Sequence, residues 1–374
     1  MVYLDSAATT LQKPPTVARA VRSAMGRMAS PGRGGHKPAM LAAKTAFDCR
    51  ETAAGFFHLD DPENVVFTLN ATHALNLAIK SIVKPKDTVV ISGYEHNAVT
   101  RPLQALGCRV KVAKGPLFEP EVILARFEQL ITEEVSCVVC THVSNVFGYV
   151  LPVKEIARLC RLRKVPFILD ASQSAGVLPV HMDQLDAAFI AMPGHKGLYG
   201  PQGTGLLLCA ADRETRPLLE GGTGSLSAQQ DMPDFLPDRL EAGTHNIPGI
   251  AGLLEGLRYV ASKPDGAILR HEQELTALAV KGLSAIPGVT LYASKRPDVQ
   301  AGVLSFTLAG MDCESVGEEL GLRDIAVRAG LHCAPRAHES AGTLGSGTVR
   351  ASFSDFNTPA DVRRLVSEIA RLAG

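Results

Sequence analysis

Short runs of apolar residues recur along the N-terminal two thirds of the chain and alternate with segments of helical periodicity. Unbroken apolar runs of four to six residues are typical of strands that are buried on both faces of a sheet. Such strands are predicted at 65–69, 88–92, 136–140, 166–170, 187–192 and 205–209. Helices are predicted between several of them, for example at 71–83 and 153–163. This alternation favours an α/β fold with a mostly parallel sheet and helices on both faces.

The alternation stops after about residue 250. The remaining pattern predicts helices at 250–261, 269–286 and 359–373 and a strand at 302–308. We therefore expect a large α/β domain over residues 14–255 and a smaller α+β domain over residues 256–374, with residues 1–13 packing nearby. Chemistry in a cleft between them would use loops at the carboxyl ends of the large-domain strands.

Composition narrows the function classes. The 374 residues include 38 Lys+Arg and 38 Asp+Glu, so the formal net charge is zero, which argues against a nucleic-acid partner. No apolar run approaches the ~18 residues that a membrane helix needs, so no membrane partner is expected. The N-terminus lacks the basic and apolar regions of a signal peptide. Together with eight scattered cysteines, this predicts a reducing, cytoplasmic location.

Several familiar motifs are missing from the sequence. It has no P-loop, no Gly-x-Gly-x-x-Gly, no His-Glu-x-x-His and no Gly-x-Ser-x-Gly, so the usual signatures of nucleotide hydrolysis, dinucleotide binding, zinc proteolysis and α/β-hydrolase chemistry are absent. Cys137 and Cys140 form a Cys-x-x-Cys inside an apolar run, without a second pair at zinc spacing. We interpret them as small apolar residues of a buried strand, and no metal site is predicted.

Two charged residues follow neighbouring predicted strands. Asp170 ends the apolar run 166–170, and Lys196 lies in a Gly/Pro-rich turn directly after the run 187–192. Pyridoxal phosphate chemistry uses such a pair, because a lysine forms the Schiff base and an aspartate keeps a proton on the pyridine nitrogen. The alternative is a surface lysine and a strand-end aspartate that caps a loop, and the pair alone does not decide between these interpretations.

Three further strand ends carry groups that suit the same cofactor. A helix is predicted to begin near Ala71, so Thr72 lies at a helix N-terminus, where a phosphate can bind. His96 follows the strand 88–92 and could stack on an aromatic ring, and Asn145 follows the strand 136–140 and could bind a hydroxyl. Each signal has an ordinary alternative: an N-cap, a loop histidine or a turn residue. Five strand ends facing one crevice are a much stronger signal than any one of them.

These residues resemble the class V, fold-type-I pyridoxal phosphate enzymes, specifically the cysteine desulfurase and selenocysteine lyase family. The resemblance covers nearly the whole chain and is closest to the second group of these enzymes. It rests on the stretches 4–10, Arg33-Gly-Gly-His36, 68–76, Glu95-His96, Ser144-Asn145, 170–173, 194–196, 241–246, 328–333 and 349–352. It implies the fold-type-I transferase fold, with a mainly parallel seven-stranded sheet in the large domain and a smaller α+β C-terminal domain.

The resemblance implies pyridoxal 5′-phosphate as the cofactor. Lys196 would be the Schiff-base lysine and general base, Asp170 would pair with the ring nitrogen, and His96 would stack on the ring. The further cofactor contacts it implies are Gln173 and Asn145 around the ring oxygen, Ala71, Thr72 and His195 at the phosphate, and Thr244 at the phosphate of the partner subunit in a homodimer.

The resemblance also implies the reaction, which converts L-cysteine to L-alanine and passes the sulfur to the enzyme. Arg350 would bind the substrate carboxylate, with Asn145 and His36 as further substrate contacts. Cys333 would accept the sulfur as a thiolate, with His332 and Arg328 lowering the thiol pKa. A sulfur-acceptor protein would then collect the persulfide.

Other activities of the same fold stay open at this stage. L-Selenocysteine is an alternative substrate, β-elimination or transamination is an alternative reaction, and a non-catalytic scaffold is an alternative of another class. Several residues depart from the family pattern and define a divergent subfamily: Ser6, His73, Pro193, His245 and Leu331. Pro193 replaces a hydroxyl residue, so it offers the phosphate no side-chain donor.

Overall fold

A computed structural model describes residues 1–32, 34–211 and 213–374. Strands and helices alternate along the first part of the chain, in the order β1 (Val2–Tyr3), α1 (Pro15–Arg27), α2 (Lys37–Phe57), β2 (Val65–Thr68), α3 (Ala71–Ile82), β3 (Thr88–Ser92), α4 (Asn97–Ala105), β4 (Arg109–Ala113), α5 (Pro120–Leu130), β5 (Val135–Thr141), α6 (Val153–Arg163), β6 (Phe167–Asp170), α7 (Met182–Leu185), β7 (Phe189–Pro193) and β8 (Gly205–Cys209). The second part contains α8 (Ile247–Ala261), α9 (Ala267–Leu283), β9 (Val289–Tyr292), β10 (Val303–Leu308), α10 (Cys313–Leu322), β11 (Ile325–Ala326), β12 (Arg328–Gly330), α11 (Pro335–Ala341), β13 (Thr348–Ser352) and α12 (Pro359–Ala373).

The large sheet has seven strands in the order β2-β8-β7-β6-β5-β3-β4. Only β8 runs against the others, since it pairs antiparallel with both β2 and β7. The predicted α/β class and mainly parallel seven-stranded sheet are therefore confirmed. All six strands predicted from apolar runs are present in this sheet, and its seventh strand, β4, was not predicted by the pattern.

The sheet is buried on both faces, which explains its unbroken apolar strands. In β5, Val138 and Cys140 join the core that includes α2, α5, α6 and α8, whereas Cys137 and Val139 join the core that includes α3 and α4. Both cysteines are fully buried. Their side chains enter opposite cores, so they pack as the small apolar residues that the sequence predicts.

A second, four-stranded antiparallel sheet follows, in the order β12-β13-β10-β9. Its core includes residues of α9, α10 and α12. The chain start joins this part, because β1 pairs in parallel with β11. Helix α8 runs through residue 255 without interruption. The domain boundaries at 14–255 and 256–374 stay a prediction.

The topology fixes where functional groups can gather. Strands β2, β3, β5, β6 and β7 all run in the same direction, so their carboxyl ends lie at one edge of the large sheet. Loops that follow parallel strands form the crevice in which α/β proteins bind ligands. None of the described helices is both long and apolar enough to cross a bilayer.

Candidate active site

A cavity of about 210 Å³ opens at this edge of the sheet. It brings together ten of the residues predicted from sequence, namely Ala71, Thr72, His96, Asn145, Asp170, Gln173, His195, Lys196, Cys333 and Arg350. Loops after β2, β3, β5, β6 and β7 supply the first eight, and the C-terminal part supplies Cys333 and Arg350. The five-strand-end arrangement inferred from sequence is thus present as one pocket.

Lys196 lies in the tight turn after β7. The turn needs glycine on both sides of His195-Lys196: a Cβ at Gly194 would lie 2.2 Å from Thr204 Oγ1, and one at Gly197 would lie 2.4 Å from Ala175 O. Burial lowers the pKa of Lys196 to about 8, against the opposing attraction of Asp170. A neutral amine is therefore accessible close to neutral pH, which is the form that can accept a proton.

Asp170 is the last residue of β6 and is only 2% exposed. Its Oδ1 accepts a hydrogen bond from Ser172 N at 2.9 Å. No partner of Oδ2 is found among the described residues, so one carboxylate oxygen remains for a ligand. A buried carboxylate is costly unless it is paired, and a protonated ring nitrogen would satisfy it.

His96 caps α4, and its Nδ1 accepts a hydrogen bond from Ala98 N at 3.0 Å. Burial lowers the pKa of His96, so the ring is neutral at neutral pH and carries its proton on Nε2. The preceding residue, Glu95, is fully buried and accepts hydrogen bonds from Ser92 Oγ and Thr141 N. Burial raises the pKa of Glu95 to about 8. Sequence analysis assigned Glu95 no role, although it is the acidic neighbour of a predicted site residue.

The N-terminus of α3 forms another side of the pocket. Helix α3 begins at Ala71 as predicted, and the side chain of Asn70 accepts from His73 N at 2.9 Å. The first amides of a helix lack intrahelical partners and attract anions. Thr72 lies in this first turn. His195 also lines the pocket; its Nδ1 lies 3.0 Å from Thr9 Oγ1, and burial lowers the pKa of His195 to about 4.

Gln173 is held by the N-terminal segment, since its Nε2 donates to Ala7 O at 2.9 Å. Ala7 and Ala8 also line the pocket. Residues close to the chain start therefore help to enclose the site, which accords with their place in the family motif 4–10.

Arg350 extends from β13 and is 2% exposed. Its Nη2 pairs with Asp5 Oδ1 at 2.6 Å, and its Nη1 donates to Asn145 O at 2.9 Å. Its Nε is buried without a partner in the described part of the chain. Asp5 stands in a motif quoted from sequence, yet its pairing with Arg350 across 345 residues was not predicted.

Cys333 is the one exposed cysteine of the eight, and all eight are free. Its loop connects β12 to α11 and contains two consecutive left-handed residues, His332 at φ 49° and Cys333 at φ 57°. Asn97 N donates to Cys333 O at 2.8 Å, and Asn145 Nδ2 donates to His332 O at 2.8 Å.

The predicted effect of His332 on the thiol is wrong. His332 is buried, and burial together with the charge of Arg350 lowers its pKa far below the usual value. Its Nε2 lies 3.1 Å from Thr348 O and donates to it. A neutral imidazole supplies no positive charge to stabilise a thiolate. Of the two residues predicted to act on the thiol, only Arg328, which is exposed and lines the same cavity as Cys333, offers a positive charge.

Two predicted residues lie outside this cavity. His36 is exposed and caps α2, where its Nδ1 accepts from Ala39 N. Thr244 is exposed and lines a separate cavity of about 100 Å³ together with His73 and His245. Arg33 of the Arg-Gly-Gly-His motif lies outside the described residues.

The donors and acceptors present fit pyridoxal phosphate. An orphan carboxylate oxygen at Asp170 suits the ring nitrogen, the Lys196 amine suits the aldehyde, and the start of α3 suits the phosphate. Pro193 also lines the cavity and, as expected from its chemistry, adds no side-chain donor.

A lysine and a buried aspartate at neighbouring strand ends of a mainly parallel sheet, with residues of the C-terminal part lining the same cavity, are the arrangement expected of a fold-type-I pyridoxal phosphate enzyme. The sequence pattern of the class-V aminotransferase family matches residues 2–365. The chain belongs to this family, whose members depend on pyridoxal phosphate.

Two curated relatives and one solved structure that the chain resembles are described as cysteine desulfurases or probable cysteine desulfurases. The chain is 34% identical, over its whole length and 95% of the relative, to a probable cysteine desulfurase of Methanothermobacter thermautotrophicus. It is 33% identical to a probable cysteine desulfurase of Mycolicibacterium paratuberculosis, of which it spans 55%. The solved apo cysteine desulfurase of Thermococcus onnurineus superimposes with a TM-score of 0.91 at 31% identity, covering 100% of this chain and 94% of that one.

Proposed function

We propose that the chain is a pyridoxal-phosphate-dependent cysteine desulfurase, which converts L-cysteine to L-alanine and leaves the sulfur on Cys333 as a persulfide. The observation that carries this proposal is the single pocket lined by Lys196, Asp170, Arg350 and Cys333. These are the four groups that the reaction needs for proton transfer, electron withdrawal, carboxylate binding and sulfur acceptance. The names of the relatives support the same reaction.

Pyridoxal phosphate, when bound, supplies an electron sink for the pair left by loss of the substrate α-proton. Lys196 Nζ takes that proton in its neutral form and returns it later in the reaction. Asp170 would hold a proton on the ring nitrogen, because a buried carboxylate stabilises a positive charge beside it. His96, neutral and held by Ala98 N, would stack on the cofactor ring.

Arg350 binds the substrate carboxylate. Its guanidinium is already oriented by Asp5 and by Asn145 O, so little side-chain entropy is lost when a carboxylate arrives. The unpartnered Nε provides a further donor.

Cys333 Sγ, as a thiolate, attacks the sulfur of the substrate. A new S–S bond forms, the substrate Cβ–S bond breaks, and its electron pair returns to the carbon skeleton. With protons balanced, L-cysteine and the Cys333 thiol yield L-alanine and a Cys333 persulfide. No external oxidant is required, because the carbon skeleton accepts the two electrons that formation of the S–S bond releases.

The proposal includes partners. Cys333 lies on a short loop whose carbonyls at positions 332 and 333 are both hydrogen-bonded, so the loop cannot move the sulfur far. A separate acceptor protein would therefore collect the sulfur. A homodimer would let exposed Thr244 reach the phosphate of the partner subunit, which suits its position outside this cavity. His36 would reach substrate in the same assembled state. A cytoplasmic location would keep the free Cys333 thiol reduced.

The test measures alanine formed from L-cysteine, and in parallel from L-selenocysteine, by the pyridoxal-phosphate-loaded protein. Cys333→Ser should abolish alanine formation from cysteine, whereas the matched control Cys108→Ser, at a half-buried cysteine that does not line the pocket, should retain it. Mass spectrometry should find 32 Da, the mass of about one sulfur atom, added to the Cys333 peptide. Pyruvate as the main product, or full desulfuration by Cys333→Ser, would contradict the proposal. Turnover of selenocysteine alone would indicate a selenocysteine lyase.

A further inference from the structure

A chain of hydrogen bonds connects the predicted carboxylate site to the loop that carries the thiol. Arg350 Nη1 donates to Asn145 O at 2.9 Å, and Asn145 Nδ2 donates to His332 O at 2.8 Å. His332 directly precedes Cys333. Asn145 therefore contacts the anion-binding group through its main chain and the thiol loop through its side chain.

The loop depends on contacts from outside itself. Left-handed backbone at two successive residues with side chains, His332 and Cys333, is unfavourable and persists only where the surroundings impose it. The carbonyls of both residues are held, one by Asn145 Nδ2 and the other by Asn97 N. Releasing the first of these bonds removes one of the two main-chain anchors of the loop.

The other end of the chain is placed to respond to a ligand. Arg350 is buried, its charge is balanced by Asp5, and Asn145 O accepts from the remaining terminal nitrogen. A carboxylate is a stronger acceptor than a peptide carbonyl, because hydrogen bonds between charged groups are roughly twice as strong as neutral ones. A carboxylate that binds the free N–H groups of Arg350 pulls on the guanidinium that also holds Asn145 O, and any shift of Asn145 is passed to His332 O.

We propose that Asn145 is a positioning residue, which couples carboxylate binding at Arg350 to the placement of the Cys333 loop. The family resemblance implies that Asn145 contacts the cofactor and the substrate, whereas in this structure its amide nitrogen donates to His332 O in the loop that carries Cys333. The proposal rests on the proposed function in that it takes Arg350 as the carboxylate-binding residue and Cys333 as the sulfur acceptor.

The test follows the alkylation rate of Cys333 by iodoacetamide, read by peptide mass spectrometry, with and without pyridoxal phosphate. Propionate serves as the probe of the Arg350 site, because it has a carboxylate but no amine or thiol. In the unmodified protein, saturating propionate should change the rate at Cys333. A net hydrogen-bond contribution of ~0.5–1.5 kcal/mol predicts that Asn145→Ala changes the rate without propionate by roughly 2- to 12-fold. The variant should no longer respond to propionate.

Asn97→Ala is the matched control, because Asn97 holds the loop through its main-chain N–H, which alanine keeps. It should alkylate and respond to propionate as the unmodified protein does. Asn145→Asp, which loses the amide donor but not the volume, should behave like Asn145→Ala. In alanine production, the Asn145 variants should lower kcat more than they raise KM.

Two outcomes would overturn the coupling: unchanged alkylation in both Asn145 variants, or a propionate response that survives in them. Neither outcome depends on desulfurase activity. A protein that fails to make alanine from cysteine but shows the Asn145 effect would refute the proposed function and leave the coupling standing.

Discussion

Removing one partner of the buried ion pair between Arg50 and Glu241 should strongly destabilise the folded protein. Glu241 is 6% exposed, and its Oε1 and Oε2 lie 2.8 Å and 2.5 Å from the two terminal nitrogens of Arg50. Oε1 also accepts from Phe67 N at 2.6 Å, and Oε2 lies 2.9 Å from His245 Nε2. The carboxylate thus connects α2 and β2 to the segment that carries Thr244.

Replacing Glu241 by Gln keeps the shape but removes the charge and turns one acceptor into a donor. Arg50 is then left as a buried, uncompensated cation, and loss of one partner of a buried pair costs about 3–5 kcal/mol. For a chain of 374 residues, an unfolding entropy of about 2.1 cal/mol/K per residue gives about 0.8 kcal/mol/K, and the predicted fall in Tm is about 4–6 °C.

Thermal unfolding followed by circular dichroism measures this fall in Tm. The matched control is Glu134→Gln, which removes an exposed carboxylate paired with Lys111 and should leave the midpoint unchanged. The double variant Arg50→Met/Glu241→Leu should lose less stability than Glu241→Gln, because no buried charge is left unpaired. If Glu241→Gln and Glu134→Gln unfold at the same midpoint, the reasoning fails.

The stabilisation by Glu241 should also depend on pH. Burial alone would raise the pKa of Glu241, but the charge of Arg50 and the hydrogen bond from His245 outweigh it and lower the pKa. A carboxyl whose pKa is lower in the folded state stabilises the fold above the unfolded pKa of about 4.3, and that stabilisation disappears as pH falls through the folded value. Glu241→Gln should therefore be closest to the unmodified protein in stability at acid pH.

Two further predictions concern other buried groups. Burial raises the pKa of Glu272 well above its usual value, so the folded state holds a proton that the unfolded state loses above pH ~4.3. As the pH rises, the free energy of unfolding should therefore fall by up to about 1.4 kcal/mol per pH unit. Denaturant titrations of Glu272→Gln should not show this slope. Because burial lowers the pKa of Lys196 to about 8, the rate of α-proton exchange from L-alanine into deuterated water should rise with pH up to about 8 and then level off; a rate that is flat across this range would count against Lys196 as the base.

Periodicity predicts the centre of this fold better than its edge. Strands β5, β6 and β7 are covered on both faces, so burial forces them to be continuous apolar runs that stand out in the sequence. Strand β4 lies at the edge of the sheet, where Arg109 and Lys111 alternate with valines, and its first residue is exposed. Charged residues protect an edge strand, and they also hide it from a search for apolar runs.

The same logic separates the predictable part of the pocket from the rest. Parallel strands must deliver their carboxyl ends to one edge, so the positions of His96, Asp170 and Lys196 follow from topology. No periodicity places Arg350 and Cys333 there, since they come from a different sheet, and only the family resemblance predicted them. The pairing of Asp5 with Arg350 joins the two ends of the chain, and neither segment by itself indicates the other.

His332 shows why neighbours in sequence do not determine electrostatics. A histidine beside a cysteine suggests a cation next to a thiolate, but burial against β13 keeps this imidazole neutral. Arg328 is five residues from Cys333, is exposed at the pocket, and keeps its charge because a guanidinium does not deprotonate in proteins. Of the two residues that the sequence predicts as cations beside Cys333, the adjacent His332 is therefore neutral, whereas Arg328 brings a positive charge to the cavity that Cys333 lines.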